Sequence, residues 1–386
     1  MHSGERGDAR LARRLGPCIG LVLVAAGCVG GPDASAQAEA EAEAGAAAAR
    51  CPTGSEPSEL DGVAACVEEV SFRSGELALG GQWFRPPGGG PHPAAVVIRG
   101  SGDSRRGNAW TESLAAVLVG EEVGVLVPDK RGSDGSEGDW RRVGFEELAD
   151  DALAGVRFLA GRPDVVADRI GLMGLSQGGQ VAPVAAARSD SVAFVIDVVG
   201  AAVPFVRNIR FEMRNAFREE GLSGPELDAA MRMVDTAVGR VRGSVSWPAY
   251  EAALREARDA LGSEIVDAYF IASPDHWRWD FFRRLADFDP VEWWVRVEQP
   301  TLVLLGGEDR NTPASESARR LRAAFEESGH GDATVVVFDG LGHDLYDHAA
   351  PGPMSEHGLH ADVRRTLAEW VRRVGWEGRS APEAAR

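Results

Sequence analysis

Short, continuous apolar runs recur along most of the chain, at Ala94–Ile98, Val123–Val127, Ile170–Met173, Ala193–Val199, Thr301–Leu305 and Thr334–Phe338. Runs of this length without polar alternation predict strands buried on both faces. Helical patterns lie between them. Thr111–Val119 is one, and Phe145–Leu159 is another, with Leu148, Ala152, Val156 and Leu159 on one stripe. The alanine-rich stretch Val181–Arg188 is a third, and Leu367–Val374 predicts a closing helix. Two earlier strands, Val67–Phe72 and Leu77–Phe84, end at the break Pro86-Pro87-Gly88-Gly89-Gly90-Pro91. Buried strands alternating with helices predict an α/β fold, a mostly parallel sheet flanked by helices.

The alternation stops near Gly200. Phe205, Ile209, Met213 and Phe217 repeat at helical spacing, and Leu227, Met231, Val234, Val238 and Val241 form the next stripe. Ser223-Gly224-Pro225-Glu226 has the pattern of a capping box. With a further helix over Pro248–Leu261, the block 201–290 reads as a helical insertion in the sheet domain.

Candidate chemistry sits at the ends of the predicted strands. Gly174-Leu175-Ser176-Gln177-Gly178 follows the strand ending at Met173 and precedes a helix. A serine on so tight a turn is pushed outward, and glycines flank it because side chains would clash. Serine attacks a carbonyl only with a base beside it. The strand Thr334–Phe338 runs into Asp339-Gly340-Leu341-Gly342-His343-Asp344, which makes His343 the candidate base. Thr301–Leu305 runs into Gly306-Gly307-Glu308-Asp309, where functional groups of open parallel sheets gather. Asp309 is the candidate acid to orient the histidine, with Glu308 as the alternative, although a loop carboxylate there also serves to cap a helix.

These segments resemble the α/β-hydrolase superfamily over residues 67–376, with the family's chain order Ser176…Asp309…His343. Within it the chain is similar to bacterial carboxylesterases near the dienelactone hydrolases and serine aminopeptidases. Ile98-Arg99-Gly100-Ser101-Gly102 resembles the family's His-Gly-Ser-Gly turn, with Arg99 where histidine is usual. Asp129-Lys130-Arg131-Gly132-Ser133 and Gly174–Gly179 carry the rest of the likeness. The resemblance implies an α/β-hydrolase fold with a helical cap insertion, and acyl transfer through an acyl-enzyme. The main-chain N–H groups of Ser101 and Gln177 are the expected oxyanion donors. Neither a metal nor an organic cofactor is expected.

Composition narrows the partners. The formal charge of −18 excludes the basic surface that nucleic acid requires, and tight binding to anionic headgroups with it. Arg10, Arg13 and Arg14 precede the apolar run Ile19–Ala26, which is too short to span a bilayer and reads as an export signal. Ala25-Ala26-Gly27-Cys28 resembles a lipobox and would make Cys28 a lipidation site, the only membrane attachment expected; Ala34-Ser35-Ala36 would instead release a soluble protein. The low-complexity segment 29–50 reads as a tether ahead of a domain spanning 51–386. Cys51 and Cys66 are the expected disulfide of an exported chain.

Three other features carry two readings each. His276-Trp277-Arg278-Trp279-Asp280-Phe281-Phe282 is either a wall for an acyl or aryl group or packing between insertion and sheet. His343, His348, His357 and His360 with Asp344 and Asp347 match no common metal spacing. Lys130, the only lysine in the chain, reads as part of a structural turn with a charged pair nearby rather than as a catalytic group. The function expected is therefore an exported serine hydrolase acting on small carboxylic esters. The alternatives are a peptidase, amidase or thioesterase of the same fold, and a non-catalytic binding protein on a hydrolase scaffold.

Overall fold

A computed structural model describes residues 51–102, 105–348 and 358–377. The export signal with Cys28, the tether, and His357 lie outside these residues. The first strands are β1 (Glu56–Leu60), β2 (Val63–Ser74) and β3 (Leu77–Arg85). β1 and β2 are joined at Asp61-Gly62, whose φ values of 46° and 80° give the left-handed two-residue turn that matches strand twist. A disulfide links Cys51 to Cys66 in β2, with Cα atoms 5.5 Å apart.

From there strand and helix alternate: β4 (His92–Ile98), α1 (Ala109–Gly120), β5 (Gly124–Pro128), α2 (Phe145–Ala160), β6 (Val165–Leu175), α3 (Gln177–Ala186) and β7 (Val195–Val198). After a helical excursion come β8 (Thr301–Gly306), α10 (Ala314–Ser328), β9 (Ala333–Phe338) and α11 (Ala361–Arg372). All nine strands form one sheet in the order β1-β2-β3-β5-β4-β6-β7-β8-β9. Pairings from β5 to β9 are parallel, and those among β1, β2, β3 and β5 are antiparallel.

The continuous apolar runs are explained by a core on each side of the sheet, except in the edge strand β9, whose side chains are half-buried or exposed rather than buried on both faces. In β4, Ala94, Val96 and Ile98 pack into one core while Ala95 and Val97 pack into the other. Val303 and Leu305 of β8 divide from Leu302 and Leu304 in the same way. Helices α2, α3 and α10 cover the first face, and α1 and α11 cover the second.

Between β7 and β8 the chain forms α4 (Phe205–Glu219), α5 (Gly224–Val241), α6 (Trp247–Leu261), α7 (Ser263–Tyr269), α8 (Arg278–Leu285) and the short α9 (Val291–Trp294). The helices from α4 to α8 bury a third cluster of their own, including Phe217, Met231, Tyr250, Val266 and Trp279. The capping box expected at Ser223 does not form, since its side chain makes no capping hydrogen bond. Pro225 removes one of the N–H groups a cap would use, and Gly224 turns the chain through φ 52°. Among the described residues, no helix is long and apolar enough to cross a membrane.

The aromatic segment is mostly packing. Trp279 is buried, edge-on to Tyr250 at 5.0 Å, with its indole N–H donated to the Ser273 carbonyl. Phe281 joins the main core. Trp277 is half-buried and meets Trp140 edge-on at 5.4 Å, joining the insertion to the loop after β5.

Candidate active site

The strand order reverses around β4, because β5 lies on one side of it and β6 on the other. The crevice at the carboxyl ends of such strands is where open α/β sheets bind ligands. β6 delivers Ser176 to this edge. Ser176 adopts φ 53°, ψ −112°, a strained conformation for a residue with a side chain. Its N–H is held by the Val198 carbonyl at 2.8 Å, and its carbonyl accepts from Gly179 N–H at 2.9 Å. Helix α3 begins at the very next residue, Gln177. The turn closes only because Gly178 has no side chain: a Cβ there would lie 1.9 Å from the Ile98 carbonyl oxygen of β4.

The three residues that the sequence placed after three different strands meet here. His343 Nε2 lies 3.0 Å from Ser176 Oγ, and His343 Nδ1 lies 2.7 Å from Asp309 Oδ2. With Nδ1–H donated to the carboxylate, Nε2 is left to accept from the serine hydroxyl. Asp309 is buried, and its other oxygen accepts from the N–H groups of Asn311 at 2.7 Å and Thr312 at 2.8 Å. The Thr312 hydroxyl in turn donates to the Val199 carbonyl at 3.0 Å, tying this turn to the end of β7. Glu308, the alternative acid, is exposed, and its N–H donates to the Leu341 carbonyl. The His343 loop crosses β8 at Gly306, where a Cβ would stand 2.2 Å from the Gly342 carbonyl oxygen.

The turn after β4 lies against Ser176, since a Cβ on Gly100 would come 3.6 Å from Ser176 Cβ. Ser101 on this turn is exposed, and Gln177 is half-buried as the first residue of α3. Arg99 is buried and anchors the turn, donating from Nε to the Pro128 carbonyl at 2.9 Å and from Nη1 to the Arg105 carbonyl at 2.7 Å. Burial lowers its guanidinium pKa below the usual value.

Two neighbours of the site carried no recognisable pattern in the sequence. The Trp110 ring stands 5.9 Å from the His343 ring, brought there by the first turn of α1. Asp197, at the carboxyl end of β7, is 1 % exposed and accepts from Gly200 N–H at 2.9 Å. A Cβ on Gly179 would lie 2.0 Å from its Oδ1, so the carboxyl fills the space under the first turn of α3. Burial pushes its pKa up to about 7.

Lys130 is a third. It is 8 % exposed, and its Nζ donates to the Gly100 carbonyl at 2.9 Å and to Gln177 Oε1 at 2.8 Å, with the Trp140 ring 5.0 Å away. The charged pairs expected nearby are formed by its neighbours, Asp129 with Arg106 and Arg131 with Asp151.

The described histidines of that sequence group, His343, His348 and His360, separate in space. His343 joins Ser176 and Asp309, His348 bonds Asp344, and His360 caps α11 by accepting from Asp362 N–H. Among the described residues, no group of three or more His, Cys, Asp or Glu side chains is placed to hold a metal ion.

Residues 87–352 match the model of the Alpha/beta hydrolase family. The chain belongs to that family. An uncharacterized protein of Mycobacterium tuberculosis is 27% identical over 293 residues, covering 75% of this chain and 77% of that one. Esterase EstD of Thermotoga maritima is 26% identical over 286 residues, 72% of this chain and 61% of EstD. Proline iminopeptidase of Mycobacterium smegmatis superposes with a TM-score of 0.51 at 17% identity, over 81% of this chain and 100% of that one. Est1E of Butyrivibrio proteoclasticus, solved with ferulic acid bound, gives 0.50 at 17% identity, over 78% and 97%. At these identities the two structures show a shared hydrolase fold, and the match to EstD is similarity to an esterase.

Proposed function

We propose that this alpha/beta hydrolase is an exported serine esterase that cleaves small carboxylic esters through an acyl-enzyme. The observation that carries the reading is the continuous relay from Ser176 through His343 to Asp309, at 3.0 Å and 2.7 Å. His343 Nε2 takes the hydroxyl proton as Ser176 Oγ bonds to the ester carbonyl carbon. The resulting oxyanion is held by the N–H groups of Ser101 and Gln177, and removing one such donor costs about 3–4 kcal/mol of barrier. As the tetrahedral adduct collapses, its bond to the alkoxide breaks and His343 returns the proton to the leaving alcohol. Water then gives a proton to His343 and attacks the acyl carbon, and the second collapse releases the carboxylic acid and restores the serine. Asp309 keeps the proton on Nδ1 and stabilises the imidazolium that forms in each step. The steps use protein groups and water alone.

The helices between β7 and β8 would form the cap over the acyl pocket, with Trp277 on the side of Trp140. Similarity to EstD favours an ester over an amide. The Cys51–Cys66 bridge supports an oxidising compartment, and with it the export signal, whether the mature chain starts at lipidated Cys28 or at Gln37. Hydrolysis of p-nitrophenyl acetate tests the reading. Ser176→Ala and His343→Ala should each abolish it while the fold persists, and full activity in either would exclude the assigned roles.

A further inference from the structure

Lys130 reaches across the active-site end of the sheet. It lies two residues beyond β5, while the two oxygens it bonds belong to the turn after β4 and to the residue after the nucleophile on β6. Those three strands are adjacent in the sheet, so one ammonium ties together the two segments that carry Ser101 and Gln177.

The chemistry of the tie is specific. The Gly100 carbonyl and the Ser101 N–H belong to the same peptide unit. In a planar trans peptide the C=O and N–H point in opposite directions, so fixing the oxygen fixes the direction of the donor. A cation on the carbonyl oxygen also draws electron density from the N–H and strengthens it as a donor. At the second contact, holding the Gln177 side chain fixes the residue whose own N–H is the other donor. An ammonium this buried is expensive, and an apolar side chain would fill the same space at lower cost if packing were its only role. Its flanking charges have partners of their own: Asp129 is bonded twice by Arg106, and Arg131 twice by Asp151.

We infer that Lys130 is the positioning residue of the oxyanion site, aligning and polarising the donors of Ser101 and Gln177 through the Gly100 carbonyl and the Gln177 side chain. The inference rests on the proposed serine mechanism. Its effect is greatest when negative charge has developed on the substrate oxygen, so it acts on the transition state more than on bound substrate.

Lys130→Met removes the charge and keeps the length of the side chain. With p-nitrophenyl acetate, kcat should fall by about tenfold to a hundredfold, within the effect of losing one oxyanion donor, while KM stays within about twofold. Affinity for an aryl trifluoromethyl ketone, which forms a tetrahedral adduct with the serine, should fall by the same factor as kcat/KM. Gln177→Met keeps the main-chain N–H and removes one of the two contacts. It should cost less than Lys130→Met, and the double variant should be no slower than Lys130→Met alone. Wild-type kcat and ketone affinity in Lys130→Met would overturn the inference, as would a loss confined to KM. If Lys130→Met does not fold, Gln177→Met decides: reduced kcat and ketone affinity support the role, and wild-type values overturn it. An active Ser176→Ala would remove the serine mechanism itself. An inert Ser176→Ala beside a fully active Lys130→Met removes only the role of the lysine.

Discussion

Asp309 Oδ2 lies 2.7 Å from His343 Nδ1, and its carboxylate is held in place by two main-chain N–H groups on its other oxygen. The acid therefore cannot swing away from the imidazole without breaking the turn at Asn311 and Thr312. That arrangement favours Asp309 over Glu308 in the proposed mechanism, because Glu308 faces solvent.

Asp309→Asn should keep this turn, since an amide oxygen can still accept from Asn311 and Thr312. Its NH2 would then face Nδ1 and favour the tautomer with the proton on Nε2, where the ring cannot accept from Ser176. A drop in kcat of about 10⁴-fold is expected, with the melting temperature little changed. Glu308→Gln should remain at wild-type activity. Steady-state kinetics of both variants checks the assignment.

The buried Asp197 makes stability depend on pH. Its carboxyl has a pKa of 3.8 when exposed and about 7 in the fold, so across that interval the folded chain holds a proton that the unfolded chain releases. The stability linked to this proton is complete below the lower value and is lost as the pH rises through the upper one. Asp197→Asn, which cannot titrate, should gain stability relative to wild type as the pH rises across the same window. Denaturant unfolding at a series of pH values measures the difference, and a difference independent of pH would contradict the raised pKa.

The Cys51–Cys66 bridge spans 15 residues and fastens the start of the domain to β2, far along the sheet order from Ser176. Closing a loop of that length stabilises by about 3 kcal/mol on chain-entropy grounds. The double variant Cys51→Ser/Cys66→Ser should lose roughly that much in unfolding free energy and keep its kcat. Loss of kcat at temperatures where the variant is folded would show that the bridge shapes the site.

Much of this architecture is legible from residue patterns. Apolar runs such as Ala94–Ile98 and Thr301–Leu305 marked strands because both faces are buried, and the helical stripe from Phe205 marked the insertion. The edges were harder to read. β1 has mostly exposed side chains and no apolar run, although Asp61-Gly62 is the hairpin signal that would have revealed it. β6 begins five residues earlier than its apolar stretch because Ala167 and Asp168 are exposed on it and Arg169 is half-buried. At Ser223, the residue pattern suggested a cap that the side chain does not make.

The site divides in the same way. That Ser176, Asp309 and His343 meet was readable because each follows a strand and their order resembles that of the α/β-hydrolases. Trp110 and Asp197 were not, because what matters is what they pack against: a histidine 233 positions away in one case, glycines on two different elements in the other. Lys130 was conspicuous as the only lysine, yet its partners, in the turn after β4 and at the start of α3, become visible only once the strand order is known.

The central claim is that Ser176 is the nucleophile. Treating the folded protein with a fluorophosphonate and locating the adduct by peptide mass spectrometry tests it directly. Stoichiometric labelling of Ser176, abolished in His343→Ala, is the expected result; folded protein that remains unlabelled, or that carries the label on another residue, would contradict it.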